Sequence, residues 1–185
     1  MTSKTPETLE EMKESTREEV LEKLKLAKSV QKERADLGLL ERIAILREIY
    51  EDFEKHSDKI AKCISLDMGK PITQSESEVT STLHHIKWDL DNAEKCLSPE
   101  TTFENDTEIH KVFYEPRGIV AVISPFNYPF SLCCAITMQN LIVGNVVLNK
   151  PSPSAMSLYR LLEQIFNNSR LPRGVQQFIH GEKEI

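Results

Sequence analysis

An apolar run that starts after Gly118 and stops at Ser124-Pro125 constrains the fold of this chain most strongly. Residues 119–123 read Ile-Val-Ala-Val-Ile, without polar alternation. Such a run predicts a β-strand covered on both faces. The strand is expected to end before Pro125, because proline fixes its own φ and restricts the residue that precedes it. Asn127 then lies between Pro125 and Pro129, directly after the strand.

The second half of the chain alternates strand and helix patterns with short connections. Residues 130–143 predict a buried helix that ends at Gly144, and residues 146–149 predict a short strand. An amphipathic helix capped by Ser154 and a strand over residues 175–179 follow. Since β-α-β crossovers are right-handed in nearly all known cases, these strands predict a parallel sheet.

Helical patterns dominate the first half. Apolar residues recur at helical spacing over residues 17–53, in two successive helices, and a third helix is expected to begin at the N-cap Ser57. Its predicted end is the Gly-Lys-Pro turn at residues 69–71. Residues 75–78, Ser-Glu-Ser-Glu, match a capping box and predict the start of a long helix that closes at residues 97–99.

Together these patterns predict an α/β fold with an incomplete doubly wound parallel sheet, Rossmann-like, preceded by a helical layer. A strand pattern at residues 108–114 precedes the turn into the central strand. We expect a flexible N-terminus at residues 1–16, a helical layer at 17–100, a strand segment at 101–117 and a β-α-β-α-β region at 118–185.

Composition and charge argue against several classes of function. The net charge is −6 and basic residues are interspersed with acidic ones, so no nucleic acid partner is predicted. No apolar run approaches the roughly 20 residues that span a bilayer, and the polar start does not match a secretory signal. The cysteines form no metal-ligand motif, so we expect no metal, reduced thiols and a cytoplasmic location; they are Cys63, Cys96, Cys133 and Cys134.

The predicted topology brings two polar side chains to one edge of the sheet. Asn127 follows the strand that ends at Ile123, and Lys150 follows the strand that ends at Asn149. The carboxyl ends of parallel strands share an edge, where open α/β sheets bind their ligands. An amide suits a developing oxyanion, and a lysine suits ribose hydroxyls or phosphate. We therefore expect both residues in one site.

Four sequence motifs occur in a fixed order along the chain. They are Leu-Asp-Met-Gly-Lys-Pro-Ile at residues 66–72, Glu-Pro-Arg-Gly through Asn-Tyr-Pro at 115–129, Gly144-Asn145 with Lys150-Pro151-Ser152, and Leu-Pro-Arg-Gly-Val at 171–175. In order and spacing they resemble the NAD(P)-dependent aldehyde dehydrogenase superfamily over about residues 17–181. The likeness is closest to succinate-semialdehyde and non-phosphorylating glyceraldehyde-3-phosphate dehydrogenases.

The resemblance implies specific roles. Asn127 would be catalytic, as the oxyanion donor that stabilises a thiohemiacetal intermediate. Lys150 would bond the adenosine ribose of the cofactor. Residues 108–114 would belong to the small sheet that family members use for oligomerisation. The cofactor groove would be formed by Ser124, Pro125, Phe126, Asn127, Lys150, Pro151, Ser152 and Pro153.

The chain also departs from the family pattern. Pro153 stands where the family often has a carboxylate for the ribose hydroxyls of NAD, so the expected cofactor is NAD or NADP. Residues 1–16 show no strand pattern, although the family opens with a strand pair. The later glycine loop, glutamate base and nucleophilic cysteine are not found. Cys133 and Cys134 do not replace that nucleophile, because a thiol buried on an apolar helix is unreactive.

Two classes of function follow. The first is the N-terminal portion of an NAD(P)-dependent aldehyde dehydrogenase, an oxidoreductase for small aldehydes, inactive alone and binding its cofactor weakly. The alternative is a truncated, non-enzymatic interaction or oligomerisation protein, which requires exposed apolar surface. A nucleotide-binding module acting alone is a third. Expected partners are a small aldehyde, a second copy or a C-terminal half, with no nucleic acid and no membrane.

Overall fold

The computed structural model describes residues 13–181, and no helix within that range is long and apolar enough to cross a membrane. The helices are α1 (Arg17–Asp36), α2 (Leu39–Lys55), α3 (Ser57–Met68), α4 (Ile72–Leu97), α5 (Ile136–Val143) and α6 (Met156–Asn168). The strands are β1 (Glu100–Glu104), β2 (Ile109–Val112), β3 (Ile119–Ile123), β4 (Val146–Lys150) and β5 (Gln176–Phe178). A π-helical segment, Ser131–Ala135, precedes α5, and a 3₁₀ segment, Pro153–Ala155, precedes α6.

The central sheet is parallel and has the order β3-β4-β5. On one face α1 packs against it, with Ala27 in a small cluster that includes Val146 and Leu148. On the other face, Val122 and Val147 join the main core with residues of α2, α5 and α6. Helices on both faces of parallel strands confirm the predicted doubly wound fold with a preceding helical layer.

Several helix ends follow the expected local chemistry. Gly69 ends α3 with φ +69° and Gly144 ends α5 with φ +104°, as predicted, because only glycine adopts this region without a steric penalty. The start of α1 is closed by a capping box that we did not predict. Thr16 Oγ1 accepts from the Glu19 amide at 3.2 Å, and the Glu19 carboxylate accepts from the Thr16 amide at 2.8 Å.

The capping box predicted at residues 75–78 is wrong. The helix begins earlier, at Ile72, with Pro71 at the N-cap position. Ser75 and Glu78 therefore lie inside α4, where both are buried. A Ser-x-x-Glu pattern is local, and it cannot distinguish a helix start from an interior turn whose glutamate is bonded to a distant part of the chain.

Two other predicted caps and one strand length also need correction. The N-cap of α3 is His56, with Ser57 as its first helical residue. Ser154 lies within the 3₁₀ segment, whose cap is Ser152. The last strand, β5, is shorter than the predicted residues 175–179. These differences are of one or two residues, which is the scale on which helix and strand ends fray.

The prediction that residues 119–123 are covered on both faces is wrong for the described part of the chain. Val122 is buried, but Ala121 is exposed and Ile123 is 75% exposed. Among the described residues, β3 has a neighbouring strand on one side only, whereas β4 lies between two strands and is buried from Val146 to Asn149. The apolar run thus correctly predicted a strand. The burial of its side chains depends on neighbouring elements, and within residues 13–181 the neighbouring strand lies on one side of β3.

A separate antiparallel hairpin stands apart from this sheet. It pairs β1 with β2, and every residue of both strands is exposed. The strand predicted at residues 108–114 is present as β2, whereas β1 was not predicted. Asn105 closes the hairpin, because its side-chain oxygen accepts from the amides of Thr107 and Glu108 at 2.8 and 2.9 Å.

Candidate active site

The ends of β3 and β4 form the edge at which the site was predicted. The two strands run parallel, and their register sets Ile123 opposite Lys150. One further bond extends this pairing, from the Ser124 amide to the Lys150 carbonyl at 3.3 Å. The loop that carries Asn127 and the segment after Lys150 therefore leave the sheet at the same rim, as expected.

The loop after β3 exposes its two aromatic side chains and the amide of Asn127. Ser124 is buried, whereas Phe126 and Tyr128 are 55% and 54% exposed. Asn127 is exposed, and its side chain makes no hydrogen bond within residues 13–181. Both N–H groups of this amide are thus available, so Asn127 can donate to an oxygen that approaches the rim.

Lys150 is not a free cation. Its side chain is partly buried, and its Nζ donates to the Gly181 carbonyl at 2.5 Å. This bond joins the end of β4 to the segment that follows β5. An ammonium group has three donors, so the bond to Gly181 orients the amine and leaves donors for a ligand hydroxyl or phosphate.

The segment after Lys150 turns directly into a helix. Pro151 is buried, and Ser152 Oγ accepts from the Ser154 amide at 3.3 Å. The following helix, α6, is capped from a distance by Asp67. The Asp67 carboxylate accepts from Ser157 Oγ at 2.5 Å and from the Leu158 amide at 3.1 Å. We missed this cap, although Asp67 lies within the first of the sequence motifs.

Sequence reasoning also missed a buried ion pair beneath the Asn127 loop. Glu78 and Lys70 lie 2.7 Å apart, with side chains 1% and 19% exposed. The other Glu78 oxygen accepts from the backbone amides of Phe130 and Ser131 at 3.0 and 3.3 Å. Lys70 Nζ lies 4.4 Å from the centre of the Tyr128 ring. The sequence signal that could have revealed this ion pair is Glu78, a charged residue at an inward-facing position of α4.

The cysteines lack the environment of a nucleophile. Cys133 and Cys134 are fully buried in the π-helical segment, and burial raises the pKa of the Cys134 thiol well above its usual value. Burial also raises the pKa of Cys63. The thiolate is the reactive form, so these thiols are poorly activated. Within residues 13–181 no group of three or more His, Cys, Asp or Glu could hold a metal ion.

A groove lies away from this rim. It has a volume of about 900 Å³ and lies beside β5, between α1 and α6. Its lining includes Lys23, Glu163 and Gln177, and none of the predicted site residues. The candidate site is thus an open rim with a neutral donor at Asn127 and a cation at Lys150, able to bind an oxygen-rich ligand.

An incomplete doubly wound parallel sheet, with polar groups at the carboxyl ends of its strands, is typical of Rossmann-like proteins. The comparisons then identify the family. The model of the aldehyde dehydrogenase family matches residues 2–185, and this chain belongs to that family. The resemblance inferred from the four motifs is confirmed.

Three relatives illustrate the match. The N-succinylglutamate 5-semialdehyde dehydrogenase of Legionella pneumophila (strain Paris) is 30% identical over 90% of this chain and 34% of its own length. The lactaldehyde dehydrogenase of Methanococcus maripaludis (strain C5) is 32% identical over 97% of this chain and 40% of its own. The glyceraldehyde-3-phosphate dehydrogenase of Methanocaldococcus jannaschii, solved in complex with NADP, has a TM-score of 0.87 at 27% identity, over 96% and 39%. This chain therefore spans 34–40% of the length of these relatives.

Proposed function

We propose that this chain is the N-terminal portion of an NAD(P)-dependent aldehyde dehydrogenase, which oxidises a small aldehyde to a carboxylate. The supporting observation is the parallel register of β3 and β4, with Ile123 opposite Lys150, in a chain of this family. In this proposal Asn127 donates to the oxyanion of a thiohemiacetal whose cysteine lies outside these 185 residues. The division into N-terminus, helical layer, strand segment and nucleotide-binding region is part of the same proposal.

The proposal requires that the 185 residues alone do not turn over substrate. The chain supplies an oxyanion donor and one wall of a nucleotide groove, and nucleophilic catalysis needs an activated nucleophile as well. Purified chain, mixed with a panel of small aldehydes and NAD⁺ or NADP⁺, is expected to form no reduced cofactor by absorbance. Measurable aldehyde-dependent reduction would contradict this part of the proposal.

A graft tests the function directly. We would replace the matched N-terminal portion of the Methanococcus maripaludis lactaldehyde dehydrogenase, 40% of its length, with this chain. The graft is expected to oxidise aldehyde, and Asn127→Ala is expected to lower kcat by about 10²–10³-fold, the effect of removing one oxyanion donor. Asn168→Ala, at an exposed site at the end of α6, is the control. A folded graft in which both variants are equally active would rule out this role for Asn127.

We further propose that the cofactor groove accepts NADP at least as well as NAD, and binds either one weakly in this chain alone. Pro153 has no side-chain acceptor for ribose hydroxyls and no charge to repel a phosphate. The relative from Methanocaldococcus jannaschii was solved with NADP. In the graft, Pro153→Glu is expected to shift the ratio of dissociation constants toward NAD by about 10- to 100-fold, since a hydrogen bond to a charged group contributes roughly 1.5–3 kcal/mol. Ser154→Glu, at the exposed neighbouring position, should leave the ratio unchanged.

Exposed apolar side chains support a second candidate, a non-enzymatic role in interaction or oligomerisation. Ile109 and Phe113, in and next to the hairpin, are 53% and 62% exposed, and Ile123 is 75% exposed. Analytical sedimentation tests it, and a purely monomeric chain would contradict it.

We also propose a cytoplasmic location, in line with four free thiols, which cell fractionation would test.

A further inference from the structure

The helix that follows Asn127 begins without a local cap. Residues 129–130 are already helical and lead into the π-helical segment at Ser131–Ala135. The Leu132 amide donates to the Tyr128 carbonyl at 3.0 Å, so Tyr128 occupies the N-cap position of this continuous helical stretch. Tyrosine is not among the residues whose side chains cap a helix. Pro129 follows in the first helical position and has no N–H. The amides of Phe130 and Ser131 therefore need an acceptor from elsewhere.

Glu78 supplies that acceptor from the interior of α4. One of its oxygens accepts from both amides, at 3.0 and 3.3 Å. A carboxylate at this point also interacts favourably with the helix dipole. Its second oxygen accepts from Lys70 at 2.7 Å, so this buried charge has a partner on each side.

Lys70 contacts both Glu78 and the loop that carries Asn127. Its amine faces the Tyr128 ring at 4.4 Å, within the range of a cation–π interaction. The residue next to Asn127 is thus held through its ring, and the start of the following helix is held through its amides. Asn127 itself makes no side-chain hydrogen bond within residues 13–181, so its orientation depends on how firmly its neighbours are held.

We propose that Glu78 and Lys70 are positioning residues that hold Asn127 at the rim of the sheet. This inference rests on the proposed function, in which Asn127 donates to an oxyanion. An oxyanion donor acts only when its N–H points at the developing charge, and displacement by about 1 Å can cost as much as 10²-fold in rate. Through Glu78, α4 would set the geometry of a loop 52 residues later in the chain.

Fluorine NMR of the whole chain labelled with fluorotyrosine tests the proposal without any activity. The chain has four tyrosines, and Tyr128→Phe assigns the relevant signal. Lys70→Met and Glu78→Gln are expected to shift the Tyr128 fluorine resonance and to broaden the Asn127 side-chain amide signals in a proton–nitrogen correlation spectrum. The signal of Tyr50, whose hydroxyl is bonded to Glu54, should stay in place. Lys70→Arg, which keeps the cation, should restore the wild-type spectrum.

Matched controls separate positioning from general stability. Lys62→Met and Glu76→Gln change exposed residues of α3 and α4 and should leave all of these signals unchanged. If Glu78→Gln does not fold, Lys70→Met still decides the question, because its side chain is partly exposed. A lower melting temperature with unmoved Asn127 signals would mean a purely structural ion pair and would overturn the proposal.

The graft described above adds a kinetic readout. There Lys70→Met is expected to lower kcat by about tenfold with little change in KM, as for an interaction that matters in the transition state. An inactive graft with the expected spectral changes would count against the proposed function alone. Unchanged spectra in an active graft would count against the positioning role alone.

Discussion

At the residue scale, two buried arginines bind the carbonyl end of α5. Arg34 donates to the Leu141 carbonyl at 2.6 Å, and Arg42 Nε donates to the Ile142 carbonyl at 2.9 Å. Cations at this end of a helix satisfy free carbonyls and oppose the helix dipole. Burial, reinforced by the nearby Arg42, lowers the pKa of Arg34 to about 10, so Arg34 remains charged at neutral pH. Their guanidinium groups cover the turn that leads into β4.

Gly144 is the residue in this turn that no other amino acid replaces without strain. Its φ is +104°, and an added Cβ would lie 3.1 Å from Arg42 Nη1. We expect Gly144→Ala to lower the free energy of unfolding by about 1–2 kcal/mol, the cost of a left-handed backbone for an L-residue. Urea denaturation measures it. Gly38→Ala, at the N-cap of α2, has a negative φ and open space around the added Cβ, so it should lose less stability than Gly144→Ala. Equal losses in the two variants would contradict the expectation.

At the element scale, β3 is both the support of the candidate site and an edge of the described sheet. Its carboxyl end carries the Asn127 loop, while its outer side leaves backbone groups unpaired within residues 13–181. An apolar edge strand of this kind is a template for association with another strand. The unpaired edge of β3 could pair with a strand of a complementary C-terminal half. For the same reason it favours self-association of the isolated chain.

A lysine on the β3 edge should suppress that association. Ile123 is 75% exposed, so Ile123→Lys removes apolar surface without opening the core. We expect the variant to remain monomeric at concentrations where the wild type forms larger species, with a slightly lower melting temperature because the new cation lies opposite Lys150. Light scattering over a concentration series measures this. Leu66→Lys, at an 81% exposed position on α3, is the control, and equal suppression by both variants would show that the edge is not responsible.

At the scale of the whole molecule, the two ends of the described chain meet beside β5. The Ser15 amide donates to the His180 carbonyl at 2.7 Å, and Ser15 Oγ accepts from the His180 amide at 3.1 Å. The His180 ring lies 3.2 Å from Glu163 in α6. These contacts connect the start of α1, the end of β5 and α6, so the layers on both faces of the sheet share one anchoring point.

This anchoring point makes stability depend on pH. The hydrogen bond to His180 lowers the pKa of Glu163 below the ordinary value of 4.5. Because the unfolded chain takes up this proton first, the stabilisation is complete above that value and is lost as the pH falls through the lower, folded pKa. Thermal unfolding from pH 6 downward should therefore show a steeper acid decline in the wild type than in Glu163→Gln. Glu76→Gln, exposed on α4, should follow the wild type, and parallel curves for all three would contradict the assignment.

The sequence by itself determined the helices, the three parallel strands and the family, but not β1 or the π-helical segment. Apolar spacing and the glycines at positions 69 and 144 act over a few residues, so helices and their ends can be read locally. The rim also followed, because parallel strands joined by right-handed crossovers must bring Asn127 and Lys150 to one edge. The roles of these two residues remain predictions.

Only the tertiary structure decided how those side chains are held. Glu78 matched a local capping pattern, yet it binds amides 52 and 53 residues further along, and Lys150 is oriented by the Gly181 carbonyl. The exposure of β3 likewise depends on which strands lie beside it. Each of these contacts joins elements that are far apart in the chain. A local pattern contains no information about such a contact, because its energy exists only once the core has packed.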